Sequence, residues 1–314
     1  MNRRGFLSGA MIAAAAAWAA PLNTVFAQGA VQQKTRLILL GTKGGPRVGG
    51  EGRKNPSTLL LINGVPYVVD CGYGTSQNLV RAGVPLNAVR YFFITHHHSD
   101  HNLEYGSVIY NGWATGLRTR VDAWGPPGLG KMTQAFFDYM QFDIDTRMDD
   151  EGRPDLRKLV FAHDFDQPGL VMQNGDVKVT AARVRHPPIE HAYAFRFDTA
   201  DRSIVISGDT NYSPELIELA RGADVLVHEI LYMPGLDKLL SRVPNAAKLK
   251  EHIVASHTVP EDVGRVAAAA GVKTVVLSHF VPGDDPSITD EQWTEGVRKH
   301  FGGRIVVGKD LLEI

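Results

Sequence analysis

The sequence predicts an α+β protein built as a four-layer αββα sandwich, in which two β-sheets pack together and helices cover both outer faces. Short apolar and β-branched runs recur along the chain, and segments with helical patterning separate them in both halves. Several of these strand-like runs end directly at His or Asp residues. The chain has 314 residues, 44% of them hydrophobic, which is enough to bury a large core.

The first 27 residues are expected to form a bacterial export signal. Arg3 and Arg4 precede an Ala-rich apolar run over 10–20, and a small-residue cleavage site ends at Ala27. The arginine pair favours the twin-arginine translocation machinery as a partner, with Sec export as the alternative. The apolar run is shorter than the ~20 residues of a membrane span, so we expect no stable membrane anchor. We therefore expect one domain over 28–314, in a periplasmic or secreted protein.

The first elements of this domain follow from strand and turn signals. Arg36–Gly41 is predicted as a strand buried on both faces, and Ser57–Ile62 and Val65–Val69 as a hairpin around Asn63 and Gly64. The remaining strands are predicted over 91–94, 120–124, two within 171–184, 192–197, 203–207, 224–228, 274–278 and 305–307. Helices are predicted over 77–82, 102–111, 132–142, Pro214–Ala220 and Pro260–Ala270. The charged stretch 143–166 is expected to be irregular, and to cap the site or lie on the surface.

The most informative motif directly follows the strand 91–94. Thr95 begins the sequence T-H-H-H-S-D-H, which places His96, His98, Asp100 and His101 on the loop leaving a strand. Imidazole and carboxylate groups are the ligands that suit zinc and similar divalent ions. The alternative is a solvated, His-rich loop without a ligand, but burying four such groups without a bound ion would carry a large desolvation cost.

The H-x-H-x-D-H motif after a strand resembles the metal-binding motif of the metallo-β-lactamase superfamily, and the resemblance extends from about Arg36 to the C-terminus. It implies that His96, His98 and His186 hold one metal ion. It implies that Asp100, His101 and His279 hold a second, with Asp209 between the two. His191 competes with His186 for the third position of the first set. The cofactors implied are two divalent ions, with zinc favoured and manganese or iron as alternatives.

A second group of residues resembles the ribonuclease Z-like branch of this superfamily. Glu229 ends a strand, and His257 and Thr258 precede the helix Pro260–Ala270. In that branch a similar pair relays a proton to the leaving group, with Ser in the place of Thr258. A Glu that orients a His makes that His a suitable general acid. The candidate catalytic residues are Asp100, His257 and Glu229. The alternative for His257 is a solvated residue at a helix start.

Two residues next to the predicted hairpin have less certain roles. The resemblance implies that Asp70 supports the metal-binding loop from behind, although a turn residue that ends a strand is an equal alternative. Cys71 is expected to be a small buried residue rather than a nucleophile, because no activating partner is evident.

The expected substrate is a small anionic ester. Two divalent cations outweigh two carboxylates and a shared hydroxide, so the centre is positive and favours a phosphodiester or an aryl sulfate ester. Nucleic acid is not expected, since the net charge is −1 and only part of the P-x-K-x-R-N loop of the tRNA-processing relatives is present. The alternatives are a lactonase or β-lactamase-type hydrolase and a periplasmic metal-binding protein without activity. The resemblance also allows for a homodimer.

Overall fold

Two β-sheets form the centre of the computed structural model, which describes residues 34–48, 52–241, 243–244 and 246–314. The proposed export signal lies outside these residues. The first sheet has the strand order β1-β2-β3-β4-β5-β6, and the second has the order β13-β12-β11-β10-β9-β8-β7. The strands are β1 Arg36–Gly41, β2 Ser57–Ile62, β3 Val65–Val69, β4 Tyr91–Phe93, β5 Val121–Gly125, β6 Val160–Asp164, β7 Gly169–Gln173, β8 Val177–Arg183, β9 Tyr193–Thr199, β10 Ser203–Ile206, β11 Val225–Leu231, β12 Thr274–Val281 and β13 Arg304–Val307.

Helices cover the sheets on their outer sides. They are α1 Thr75–Arg81, α2 Ser99–Asn102, α3 Tyr105–Ala114, α4 Leu129–Tyr139, α5 Gln141–Glu151, α6 Pro214–Ala220, α7 Met233–Leu240, α8 Ala246–Ser256, α9 Pro260–Ala270 and α10 Asp290–Arg298, with short 3₁₀ helices at Leu86–Ala88 and Leu156–Lys158. No helix within the described ranges has the length and apolar character needed to cross a membrane.

The buried apolar residues separate into layers that account for the sandwich. Leu37 and Leu39 of β1 pack between the two sheets with Phe195 and Phe197 of β9. Ile38 and Leu40 point the other way, into a cluster with the helices that cover the first sheet. A third cluster joins the second sheet to α6, α9 and α10. Alternate residues of one strand thus serve two layers, and the predicted four-layer αββα fold is confirmed.

The hairpin between β2 and β3 forms as predicted. Ile62 pairs with Val65 across an antiparallel register. Asn63 and Gly64 both have positive φ, at 49° and 80°, as the predicted type I′ turn requires. The turn sets the register of β3, whose end leads to Asp70 beside the metal-binding loop.

The prediction of an irregular stretch over 143–166 is wrong. The segment contains most of α5, a 3₁₀ helix and β6. Ile144 is the one fully buried residue of α5, so the helix lacks the apolar stripe from which helices are usually recognised. Ion pairs from Arg147 to Asp143 and to Glu151, both spaced i,i+4, support it instead.

Several predicted boundaries also differ from the structure. The region predicted as one helix over 132–142 contains α4 and the start of α5, and the helix predicted over 102–111 is α3, preceded by the single turn α2. β11 and β12 continue to Leu231 and Val281, beyond their predicted ends. The helices α7, α8 and α10 were not predicted.

The segment after β13 returns to the first sheet. Leu39 N–H donates to Leu312 O at 3.0 Å, Leu311 N–H donates to Leu39 O at 2.7 Å, and Ile314 N–H donates to Leu37 O at 2.9 Å. The edge of β1 opposite β2 is therefore paired with residues 311–314.

Candidate metal centre and active site

The candidate site lies where strands of both sheets end. β4 leads to His96 and His98, β10 leads to Asp209, and β12 carries His279 near its end. His279 has a φ of 44° and Asp70 a φ of 61°, a left-handed conformation that is unusual for residues other than glycine. Such backbone conformations persist when the surrounding structure imposes them, and they cluster at functional sites.

Three ring nitrogens converge at the first candidate position. His98 Nδ1 lies 3.1 Å from His96 Nε2 and 3.1 Å from His186 Nε2. The other nitrogen of His186, Nδ1, donates to Ser256 O at 3.1 Å, which leaves its Nε2 lone pair directed at the group. A tetrahedral zinc ion with bonds of about 2.0–2.1 Å has ligand–ligand distances of roughly 3.3 Å, so these nitrogens are spaced as ligands of one ion.

The second candidate position lies against the first and shares a carboxylate with it. His279 Nε2 is 3.4 Å from Asp100 Oδ2 and 3.1 Å from Asp209 Oδ1. His101 Nε2 is 3.3 Å from Asp209 Oδ2, and His96 Nε2 is 3.8 Å from the same oxygen. Asp209 therefore lies next to both groups and would be a ligand that they share.

Buried polar atoms without hydrogen-bond partners indicate whether metal ions fit this arrangement. His101 Nε2, Asp209 Oδ1 and both ring nitrogens of His279 are buried without a hydrogen-bond partner among the described residues. Burial lowers the pKa of His101, but the carboxylates of Asp209, Asp70 and Asp100 outweigh it and raise that pKa well above its usual value. Unpaired buried donors and excess negative charge are both costly, and divalent cations at these positions would relieve both.

Asp70 holds the metal-binding loop from behind. Its Oδ2 accepts from His101 Nδ1 at 2.8 Å, and its Oδ1 accepts from the Thr95 backbone N–H at 2.8 Å. The first bond keeps the proton on Nδ1, so the Nε2 of His101 is free to bind a cation. This is the supporting contact that the resemblance implied.

Replacing Asp70 with Asn is expected to weaken metal binding about 10- to 100-fold, the usual effect of removing an outer partner of a metal-binding His. The amide cannot accept both bonds as the carboxylate does, so the orientation of His101 is lost. Metal affinity is measured by competition with a chelator. Asp149→Asn, an exposed carboxylate on α5, is the control. Unchanged affinity in Asp70→Asn would contradict the supporting role.

Glu229 and His257 form a buried pair next to the metal residues. His257 Nδ1 donates to Glu229 Oε2 at 3.2 Å, and the Thr258 backbone N–H donates to Glu229 Oε1 at 2.6 Å. Burial lowers the pKa of His257, but the Glu229 carboxylate outweighs it and raises the pKa overall. The His257 ring stacks on His279 with centroids 5.4 Å apart. Glu229 thus orients the His257 ring beside the candidate metal centre and favours its protonated form.

The structure distinguishes between His186 and His191. His186 is buried and reaches the His96–His98 pair, whereas His191 Nδ1 contacts Tyr193 Oη at 3.3 Å and lies outside the candidate metal groups of the described chain. All seven residues proposed as ligands therefore lie together: His96, His98, Asp100, His101, His186, Asp209 and His279. Cys71 is fully buried, and desolvation raises the pKa of its thiol well above the usual value, as expected for a packing residue.

A cavity of about 320 Å³ opens over the metal residues. Its roof includes Leu239 of α7, Val243, and Leu249 of α8. The sequence had suggested 143–166 as the segment that caps the site, and no residue of that stretch lines the cavity. The helical signal of α7 is weak because Pro234 and Gly235 fall in its first turn.

His252 is a site residue that the sequence reasoning missed. It lies on α8, lines the cavity, and its ring centroid is 5.7 Å from that of His98 and 5.9 Å from that of His186. Its spacing from Ser256 and His257 on the same helical segment was the available signal, because residues four apart share a helix face.

The loop after β1 also lines the cavity. Gly45 N–H donates to Asp100 Oδ2 at 2.9 Å. A Cβ atom on Gly44 would lie 2.6 Å from His279 Cε1, so only glycine allows this approach. Gly44 and Gly45 thus let the loop backbone come close to the metal residues.

Comparison with known proteins agrees with this geometry. The sequence profile of a family described as "Beta-lactamase superfamily domain" matches residues 66–280. Ribonuclease Z from Mycobacterium marinum is 31% identical over 278 residues, covering 88% of this chain and 96% of that protein. Human tRNase Z, short form, superposes with a TM-score of 0.64 at 20% identity, covering 89% and 98% of the two chains. A diphosphatase from the PhnP family gives 0.60 at 17% identity, covering 90% and 97%.

The fold and the site together define a metal-dependent hydrolase. Its clusters of His and Asp side chains fit the divalent metal ions that this family implies. The chain belongs to the beta-lactamase superfamily and is ribonuclease Z-like within it. The family resemblance drawn from the sequence is therefore confirmed.

Proposed function

We propose that this protein hydrolyses small anionic esters at a dinuclear zinc centre, with phosphodiesters as the first candidate and aryl sulfate esters as the second. The observation that carries the proposal is the joint placement of the ligand set and the Glu229–His257 pair around one cavity of about 320 Å³. Ligand pockets usually measure about 300–1,000 Å³, so this cavity suits a small substrate. The similarity to ribonuclease Z favours phosphorus over sulfur as the reacting centre.

Bound divalent ions would supply a nucleophilic hydroxide near neutral pH and neutralise the charge of the reacting ester. His96, His98 and His186 would hold one ion, Asp100, His101 and His279 the other, and Asp209 both. In the reaction the oxygen of a water forms a bond to phosphorus or sulfur, and the bond to the leaving oxygen breaks. His257 gives its proton to that oxygen, and Glu229 keeps the His257 ring oriented and charged.

The basic residues near the cavity support a small substrate over a nucleic acid. The Lys43 ammonium is buried and donates to the carbonyls of Gly45 and Arg47. The Arg53 guanidinium lies over the Phe280 ring and donates to Gly308 O at 2.6 Å. Arg47 lies 3.9 Å from Asp284. Nucleic-acid binding needs clustered, free Lys and Arg side chains, and these three are engaged within the protein.

RNA is a third candidate substrate, because the curated relatives are named Ribonuclease Z. The test is a parallel assay of metal-analysed protein on bis-p-nitrophenyl phosphate, p-nitrophenyl sulfate, a γ-lactone, nitrocefin and a precursor tRNA. We expect about two metal ions per chain and turnover of the phosphodiester or the sulfate ester, abolished by a chelator. Turnover of the lactone, nitrocefin or RNA alone would contradict the proposed substrate class. Bound metal without turnover of any substrate would favour a metal-binding protein.

We also propose that the enzyme acts outside the cytoplasm, on the basis of the N-terminal arginine pair and apolar run. Cell fractionation with N-terminal sequencing tests this, and we expect a mature chain that begins near Gln28 in the periplasmic fraction. A full-length chain confined to the cytoplasm would contradict export.

A further inference from the structure

We propose that the substrate carries a compact apolar group on its leaving-group side, and that α7 and α8 select for this group. This inference rests on the proposed function, since it assumes that an anionic centre binds at the metal residues. It adds a second recognition element to that site: the roof residues Leu239, Val243 and Leu249.

The roof presents apolar surface that the fold itself leaves partly uncovered. Leu239, Val243 and Leu249 are only partly buried, and they pack on a cluster whose buried members include Leu240 and Ile253. All three line the cavity above the metal residues. Apolar side chains beside a functional cavity gain free energy when a ligand removes their surface from water.

The orientation of α8 links this roof to the leaving group. Leu249 and Ile253 are four residues apart, as are His252 and Ser256, so all four lie along adjoining parts of one helix face. His257 follows α8 directly and lines the same cavity. A substrate whose leaving oxygen faces His257 therefore has the organic part of that leaving group next to the roof.

The cavity also has a polar part. The loop that carries Lys43, Gly44, Gly45 and Arg47 lines it, and Gly45 N–H donates to Asp100 Oδ2. The metal residues and this loop supply the polar lining, and the roof residues supply the apolar lining. An ester with its charge at the metal residues and an apolar group towards α8 matches this division.

The volume limits the apolar group to about one ring. A cavity of about 320 Å³ lies at the lower end of the range for small-molecule sites, and the anionic centre occupies part of it. An apolar group of this kind typically changes affinity by about 10-fold or more relative to a methyl group.

Binding of two phosphonates to the metal-loaded protein tests the inference without requiring turnover. Phenylphosphonate and methylphosphonate carry a similar anionic group, and calorimetry measures both affinities. We expect phenylphosphonate to bind at least about 10-fold more tightly. Leu249→Ser and Leu239→Ser should each reduce this ratio to about 3 or less, because a hydroxyl in the roof removes apolar contact. Val254→Ser is the control, since Val254 is 40% exposed on the outer side of α8.

Each binding result would support or contradict one part of the proposed specificity. Equal binding of the two phosphonates by the unaltered protein would overturn the apolar specificity and leave the proposed function intact. If both roof variants keep the affinity ratio of the unaltered protein, and circular dichroism shows intact helices, the apolar group of the ligand does not contact α7 and α8. If neither phosphonate binds to protein that holds two metal ions, the anionic substrate class itself is wrong.

Discussion

Replacing Asp209 with Ala is expected to abolish turnover and to lower the bound metal from about two ions per chain to one or fewer. Asp209 lies next to both groups of histidines, with Oδ1 at 3.1 Å from His279 Nε2 of the second group and Oδ2 at 3.8 Å from His96 Nε2 of the first. Loss of a residue that hydrogen-bonds to a metal ligand lowers metal affinity about 10- to 100-fold. Loss of a ligand that both metal positions share should lower the affinity further. Elemental analysis after dialysis measures the bound metal.

Two further variants make this result interpretable. Asp209→Asn keeps the side-chain volume and retains one oxygen, so we expect it to fold normally and to hold less metal than the unaltered protein. Asp150→Ala removes an exposed carboxylate of α5 and should change neither metal content nor turnover. Full metal content in Asp209→Ala would show that Asp209 does not join the two positions.

Replacing His257 with Ala is expected to lower turnover by about 10²- to 10⁴-fold, the range typical of general acid catalysis, while the metal content stays normal. His257 lies with Asp209 and His279 in a third cluster of possible ligands, but it is absent from the two groups that hold the other proposed ligands, and its Nδ1 donates to Glu229. The loss should be larger for an ester with a poor leaving group, such as an unsubstituted phenol, than for p-nitrophenol. The p-nitrophenolate ion departs more readily without a proton.

This dependence on the leaving group separates a proton-transfer role from a structural one. A merely structural defect should slow the hydrolysis of both esters equally. Equal losses of rate would therefore contradict proton transfer by His257. Glu229→Gln should show the same pattern in a weaker form, because His257 remains but its ring loses the carboxylate partner. His300→Ala, at an exposed His outside the site, is the control and should leave both rates unchanged.

The part of the site that the sequence revealed consists of residues whose chemistry is concentrated in short motifs. His96, His98, Asp100 and His101 lie within six residues after one strand, so any fold that forms β4 brings them together. Asp209 follows β10 closely, and His279 lies near the end of β12. Their place beside the motif was implied by the resemblance to the metallo-β-lactamase superfamily.

The residues that the sequence did not reveal depend on packing between distant segments. His252 contacts the metal residues only because α8 lies across the ends of β11 and β12, and its own surroundings in the chain resemble an ordinary amphipathic helix. The helix α5 was missed for the opposite reason. Its ion pairs lie on the surface and Ile144 is its one fully buried residue, so the apolar pattern that indicates a helix is weak.

The pairing of residues 311–314 with β1 affects the solution behaviour of the protein. A strand at the edge of a sheet exposes a row of free N–H and C=O groups, which can recruit a strand from another molecule and start aggregation. Leu311, Leu312 and Ile314 occupy those groups on β1, and Arg202 holds this segment by donating to Ile314 O at 2.9 Å. Residues 311–314 thus protect this edge of the first sheet from pairing with another molecule.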